Sequence, residues 1–338
     1  MYNRNKMTII NNRKQEREVS MKKGIKRFFI ITATTITAIY AYNQYIAKKS
    51  IKNNYLSDKN SSYFEWKFGN IFYTKKGTGK PILLIHDTNP ASSSAEWYQI
   101  QKKLEKTHTV YALDLPGCGR SDKPALTYTN YMYVQLITSF IKNVIGEATD
   151  VVTTNLSASF VIMANHIDSS LFQKIILVNP CSLSELSEIP DDKSKLIQKL
   201  FALPLIGTFL YNLTMNHKKI NRDFHKQYYS RPQLISSKLE AIYYESAHLG
   251  KSQGRYLYAS IKGNYININI SHALKEQKQP LYILQSRSIK NAAQIVEEYT
   301  QLNPNTESII LSNCNLLPQL ETPDKLYSCI NSILNKTK

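Results

Sequence analysis

One serine in this 338-residue chain lies where a strand pattern gives way to an apolar helical one: Ser157, within DVVTTNLSASFVIMAN. A hydroxyl on a sharp strand-to-helix turn is exposed at the carboxyl edge of a sheet. The following helix aims its N-terminus at negative charge developing there. Such a serine stays a weak nucleophile at neutral pH unless a base takes its proton, and the base needs an orienting group. The seven histidines are His86, His108, His166, His217, His225, His248 and His272. His86 ends a strand-like run and is expected at the same sheet edge, where its simplest use is to hold its own loop. His217, His225 and His248 fall in a helical stretch, and no histidine follows His272. Cys118, Cys181 and Cys314 also follow strand patterns. A thiolate there would be an alternative nucleophile, although a small buried side chain is the commoner use of cysteine. Four cysteines without a CxxC pair exclude a disulfide scaffold and a zinc ribbon. No cluster of metal-ligand spacing and no phosphate-cradling glycine loop is present, so neither metal nor cofactor is expected.

These residues need a scaffold, and the chain is long enough to bury one. Apolar residues are 42% and charged residues 20%, which excludes a disordered chain. SYFEWKFG and NIFYTKKG alternate apolar and polar residues around Gly69–Asn70 and predict a hairpin. Apolar runs follow at Ile82–Ile85, Thr109–Leu113, Val151–Val152, Ile175–Val178, Leu281–Leu284 and Ser308–Leu311, separated by helical stretches. That alternation predicts a mostly parallel sheet with flanking crossover helices. Residues 181–279 break the rhythm with helical periodicity, so an inserted helical cap is expected there. The core then falls in two parts, 61–180 and 280–338.

The amino terminus differs. Net charge is +18, and residues 1–50 carry eleven Lys and Arg against Glu16 and Glu18. Phe28 to Ala47 form an uncharged run, FFIITATTITAIYAYNQYIA. A membrane-spanning helix needs about 20 mainly apolar residues. Thr residues and Asn43–Gln44 dilute the run, but threonine can bond back to its own helix. Tyr40, Tyr42 and Tyr45 suit a membrane interface. The expectation is a basic cytoplasmic segment at 1–27, a transmembrane signal anchor at 28–47 and a linker at 48–60. The basic excess upstream puts the body outside the cell. A cleaved signal peptide lacks a clean cleavage site here, and a buried core helix conflicts with the flanking charges. Met21 is an alternative start. The position of the basic stretch before an apolar run argues against a nucleic-acid arm.

Three segments resemble one family in order and spacing. KPILLIHDTNPASSSAEW ends a strand at His86–Asp87. VYALDLPGCGRSDKP carries Asp114, Gly117, Gly119 and Ser121. DVVTTNLSASFVIMAN carries Ser157. Together they resemble the α/β-hydrolase fold family, in its capped esterase, dehalogenase and peptidase-like branch. LYILQSRS and ESIILSNCNLLPQLETPDKL are similar to that family's last two strands. The resemblance implies an α/β fold with an inserted helical cap. It puts Ser157 at the nucleophile position of G-x-S-x-G, here Asn155-Leu156-Ser157-Ala158-Ser159 with both glycines replaced. It puts His86, Asp87 and Ala158 at the oxyanion pocket, with Asp87 where the family usually has glycine. The acid position falls at Ser288, or at Arg287 or Ser286. The base position falls at Leu316. Asp114 is expected to be structural.

A leucine does no general-base work, and none of the acid candidates is acidic. Losing triad members costs roughly 10⁴–10⁶ in rate. The sequence therefore predicts a membrane-anchored, degenerate hydrolase that binds a small apolar ligand or a partner under the cap. The alternative is an active serine hydrolase of small esters or amides with a displaced base. A third reading is an assembly role, with the pocket filled by Phe201, Phe209 or Tyr211.

Overall fold

The computed structural model describes residues 2–58 and 62–336, with side chains from residue 20 onward. The basic side chains from Arg4 to Arg17, and residues 59 and 60 of the expected linker, lie outside the described residues. Two compact units form, one up to Tyr45 and one from Ile46 onward.

The first unit belongs to a single helix, α1 (Tyr2–Ser50). Thr32, Thr34, Thr35 and Thr37 each donate to the carbonyl four residues back, at 2.8–2.9 Å. Their hydroxyls are thus satisfied inside the helix, as expected. Among the described residues, however, no single helix is long and apolar enough to cross a membrane. The cause is composition: these threonines and Asn43–Gln44 dilute Phe28–Ala47.

In the second unit, β1 (Ser62–Trp66) and β2 (Gly69–Lys76) form the expected hairpin. The turn is Lys67–Phe68, two residues earlier than read from the sequence. Gly69 instead opens β2 at φ +123°, pressed against Asp122, which accepts the Asn70 N–H at 2.7 Å. Any side chain at Gly69 would collide with that carboxylate. The other strands are β3 (Lys80–Ile85), β4 (His108–Leu113), β5 (Thr149–Thr154), β6 (Phe172–Val178), β7 (Leu281–Ser286) and β8 (Glu307–Leu311). Their order is β1-β2-β4-β3-β5-β6-β7-β8, antiparallel as far as β4 and parallel from β4 to β8.

Alternate strand residues feed two cores. Leu83, Ile85, Val151, Leu177 and Ile283 pack on one face with Tyr133 and Phe160. Ile82, Leu84, Val152, Ile176 and Leu284 pack on the other with Trp97 and Ile330. Burial on both faces is why these strands read as continuous apolar runs. The helices covering the first strands are α2 (Tyr98–Leu104), α3 (Asn130–Phe140) and α4 (Ser157–Ile167).

Between β6 and β7 the chain is helical: α5 (Leu183–Leu186), α6 (Asp192–Ala202), α7 (Pro204–Thr214), α8 (His217–Asp223), α9 (Ser237–Ser252), α10 (Arg255–Lys262) and α11 (Ser271–Lys275). Then come α12 (Ala292–Leu302), α13 (Pro318–Glu321) and α14 (Pro323–Leu334). Tyr211, Phe224, Tyr228 and Tyr243 give the insertion its own core, which also takes in Leu317 from the segment after β8. Glu245 of α9 is fully buried and accepts the N–H groups of Tyr55 and Leu56 at 2.8 and 3.0 Å. The insertion thereby fixes the chain that follows α1.

Glu96 lies buried where insertion and core meet. Tyr243 donates to it at 2.7 Å and the Gln319 amide at 3.3 Å. Burial pushes Glu96 up to about 7, against those hydrogen bonds. A raised carboxyl favours folding when protonated, so its contribution is lost as pH climbs from about 4.5 to about 7. Glu96→Gln is therefore expected to stabilise the protein at pH 8 by on the order of 1–3 kcal/mol, with no gain near pH 4. Urea unfolding at the two pH values checks this; an equal effect at both would exclude the titration of Glu96 as its cause.

Candidate active site

The residue that turns β5 into α4 is Asn155. It follows the last strand residue directly and has φ +51°, a left-handed conformation that asparagine tolerates better than most residues. Leu156 is already right-handed, and Ser157 opens α4. The exposed point of the elbow is thus Asn155, and Ser157 lies two residues beyond it.

Ser157 is fully buried. Its hydroxyl donates to the His86 carbonyl at 2.7 Å and pairs with the Thr88 hydroxyl at 2.8 Å. The only Ser157 proton is committed to the carbonyl, so Thr88 is the donor in the second bond. Ser157 therefore pins the loop after β3 to the start of α4, and no imidazole takes its proton.

His86 cannot supply one. Its Nδ1–H donates to the Asp87 carbonyl at 2.7 Å, and its Nε2 accepts the Leu115 N–H at 2.9 Å. Burial lowers it to about 4, although the Asp114 charge opposes this. It is a neutral histidine with both nitrogens occupied, holding its loop as the sequence suggested.

Asp87 takes the place where an oxyanion would lie. Its carboxylate accepts the Thr88 N–H at 2.8 Å and the Asn155 amide at 3.1 Å, and the nearby backbone N–H of Leu156 favours its charged form. The N–H that follows an elbow residue is one of the two donors that stabilise a tetrahedral oxyanion in such folds. Here a fixed carboxylate already lies beside it. Burial raises Asp87 to about 6, with those three groups pulling the other way. Ala158, expected as an oxyanion donor, is buried in the core two residues too far along the chain.

A cavity of about 320 Å³ opens at the elbow, lined by Asn155, Leu316 and Ile289. Leu316 is thus where the sequence put the base position. Ser288 is exposed and does not line the cavity. The first residue after β7 that does is Ile289, because the chain turns at Arg287–Ser288, leaving both exposed, and the Ile289 N–H bonds back to the Ser286 carbonyl at 3.3 Å. Ser286 is buried and donates to the Asn315 carbonyl at 2.8 Å. The remaining wall is largely polar: Asn179, Ser182, Ser184, Glu185, Lys290, Asn291 and Gln294, with Pro180, Cys181 and Ile295. A larger cavity, about 530 Å³, lies between Tyr55–Asp58, Tyr98 and Lys238 of α9. It contains none of the elbow residues, so its size gives it no part in chemistry at the β5–α4 turn.

The other candidates are structural. Burial holds the Cys118 and Cys181 thiols well above their usual range, so neither is a thiolate at neutral pH. Cys181 donates to the Asn155 side-chain oxygen at 3.1 Å. His248 is buried, donates Nδ1–H to the Tyr244 carbonyl and is lowered to about 4 by burial. His217 stacks on Tyr244, and His225 is exposed. Tyr211 is fully buried, but it donates to the Ala247 carbonyl inside the insertion core and does not line the elbow cavity. Asp114 accepts the backbone N–H groups of Ser94 and Arg120 and the Arg120 guanidinium, each at 2.7 Å. Gly119, at φ +44°, leaves room for it; a Cβ would lie 2.2 Å from the carboxylate.

Strand order, elbow and glycine loop together agree with comparison against known proteins. The profile of the "Alpha/beta hydrolase family" matches residues 82–328. The chain belongs to this family. A curated relative, the 2-hydroxy-6-oxo-6-(2'-aminophenyl)hexa-2,4-dienoic acid hydrolase of Metapseudomonas resinovorans, is 30% identical over 97 residues, 27% of this chain and 33% of that protein. An uncharacterized protein of Mycobacterium bovis is 30% identical over 103 residues, 30% of each chain. The chain thus spans about a third of these relatives. Among solved structures, the Cif epoxide hydrolase of Acinetobacter nosocomialis superposes with TM-score 0.67 at 18% identity, covering 87% of this chain and 96% of that one. A serine hydrolase involved in carbazole degradation gives TM-score 0.67 at 15% identity, covering 81% and 98%. At such identities the likeness establishes the family fold and leaves chemistry to the residues.

Asn155, Ile289 and Thr88 were missed from sequence. Anchoring the elbow motif on its only central serine shifted the register by two residues. Counting from the strand end, where asparagine is a preferred left-handed residue, would have found Asn155.

Proposed function

We propose that this hydrolase-family protein binds a small molecule at the elbow and does not cleave it. The observation that carries the reading is the Asp87 carboxylate bonded to the Thr88 N–H and the Asn155 amide beside the Leu156 N–H. Acyl transfer needs those donors free for a developing negative charge; here the Asp87 carboxyl already occupies that place. Asn155 at the elbow has no nucleophilic oxygen, and Leu316 and Ile289 can neither take nor relay a proton. The amide- and hydroxyl-lined cavity favours a polar ligand with several hydrogen-bonding groups over the apolar one expected from sequence. The test is a fluorophosphonate probe with p-nitrophenyl esters. Ser157 is expected to stay unlabelled, and turnover to match a Ser157→Ala control.

The same reading places the protein at a membrane through α1, with its amino terminus cytoplasmic and its body outside. The basic excess of residues 1–50 supports this, as do the exposed side chains of Phe28, Phe29, Ile30 and Ile31. In the second unit, exposed Leu196 and Leu200 form one stripe on α6 with Lys193 and Lys199 on its shoulders, and exposed Leu203 follows at the break before α7. Ile206 and Leu213 extend the exposed apolar surface along α7. Lysines flanking an apolar stripe suit a lipid interface. Full-length protein is expected to resist alkaline carbonate extraction from membranes, while a chain starting at Ile46 is released. Release of both would remove the anchor from this proposal.

A further inference from the structure

We propose that His166, His272 and Glu276 form a binding site for one divalent transition-metal ion of the zinc class, outside the elbow region. The sequence reading expected no metal because the ligands come from two distant segments. His166 lies in the last turn of α4. His272 lies on α11, and Glu276 follows one helical turn later. Their ligand atoms all fall within 4.8 Å of one another. His166 Nδ1 lies 3.4 Å from one Glu276 oxygen, and His272 Nε2 lies 3.5 Å from the other. Good hydrogen bonds between such groups are shorter, about 2.7–3.2 Å. Two ligands on one tetrahedral zinc, each about 2.0–2.1 Å from it, are separated by roughly 3.3 Å. The spacing therefore suits a shared ion better than direct pairing. The two imidazole rings meet edge to face at 5.5 Å, and each reaches one oxygen of the same carboxylate.

The backbone beneath holds this geometry. Asn165 and Gln277, the neighbours of His166 and Glu276, are buried and joined by an amide hydrogen bond of 2.7 Å. Ala273 and Leu274 pack into the core between His272 and Glu276. The helices are thus locked before any metal arrives, which lowers the ordering cost of binding. Two imidazoles and one carboxylate form a donor set typical of zinc, and it leaves a fourth position for water. Magnesium, which demands oxygen ligands, is excluded by the same chemistry. The ion would join the end of the helix that starts at the elbow to the last helix of the insertion, clamping the insertion to the core.

The experiment uses the full chain with no histidine tag. Zinc or cobalt titrated by calorimetry is expected to bind with one-to-one stoichiometry in the micromolar range and to raise the melting temperature. Magnesium should do neither. His166→Ala and His272→Ala are each expected to weaken zinc binding by at least about tenfold and to abolish the thermal shift. Both residues are exposed, so the variants retain the fold. His225→Ala, on an exposed histidine elsewhere, should leave binding unchanged. No binding in the micromolar range, equal binding of magnesium, or binding insensitive to both histidine variants overturns the proposal.

Discussion

Asp87→Gly, Asn155→Ser, Ile289→Asp and Leu316→His combined in one chain are expected to give a protein that a fluorophosphonate labels at position 155. The wild type should stay unlabelled, and Asn155→Ser alone nearly so. The combination empties the anion site, supplies a hydroxyl at the left-handed turn, and lines the same cavity with a base and its orienting acid. A positioned general base contributes roughly 10²–10⁴-fold. A gain of at least about 100-fold in labelling over Asn155→Ser alone is therefore expected. The comparison isolates Asp87 as well: without Asp87→Gly, a fixed carboxylate occupies the place beside the Leu156 and Thr88 N–H groups and the gain should be largely lost. If the wild type acylates at Ser157, or as fast as the combined variant, binding without cleavage is the wrong reading.

Asp114→Ala is expected to be the most destabilising single change in the loop that carries Gly117 and Gly119. Asp114 is completely buried, and Arg120, largely buried, stacks on Phe72 while donating to it. Removing the carboxylate leaves the two backbone N–H groups without their acceptor and the buried guanidinium without its counter-charge, with only the Leu56 carbonyl and the Ser94 hydroxyl left to accept from it. Breaking a buried pair from one side costs about 3–5 kcal/mol. Burial alone would raise Asp114, but the Arg120 charge and its hydrogen bonds outweigh this and hold it well below the usual carboxylate range. A lowered carboxyl stabilises the fold above about pH 4, and that contribution fades as acid protonates it. The gap between wild type and Asp114→Ala should thus be widest at neutral pH and narrow in strong acid. Urea denaturation reads both; a neutral-pH loss below about 1 kcal/mol, the scale of an exposed pair, would show that Arg120 finds another partner.

Much of the molecule is written in its local pattern. The inner strands β3 to β7 lie where apolar runs place them, because strands buried on both faces need such runs and their period-two side chains feed separate cores. Asp114, Gly117 and Gly119 read correctly as a structural loop, since a glycine at positive φ beside a buried carboxylate leaves a sequence signature. That no histidine follows β8 was also legible, and Leu316, read as the base position, lines the elbow cavity. The apolarity of Phe28–Ala47 was less decisive, because threonines that bond to their own helix still lower its hydropathy.

Tertiary structure decided the rest. Which residue stands at the elbow depends on where β5 ends and which φ follows, and a motif centred on serine does not contain that information. What Asp87 does depends on which N–H groups its side chain meets, and those come from β3's loop and α4, far apart in sequence. Ile289 rather than Ser288 lines the cavity because the turn after β7, not residue type, sets where each side chain goes. Composition and periodicity fix which surfaces must be buried. Only the folded chain fixes which polar atoms meet, because hydrogen bonding is directional and its partners are assembled from separate elements.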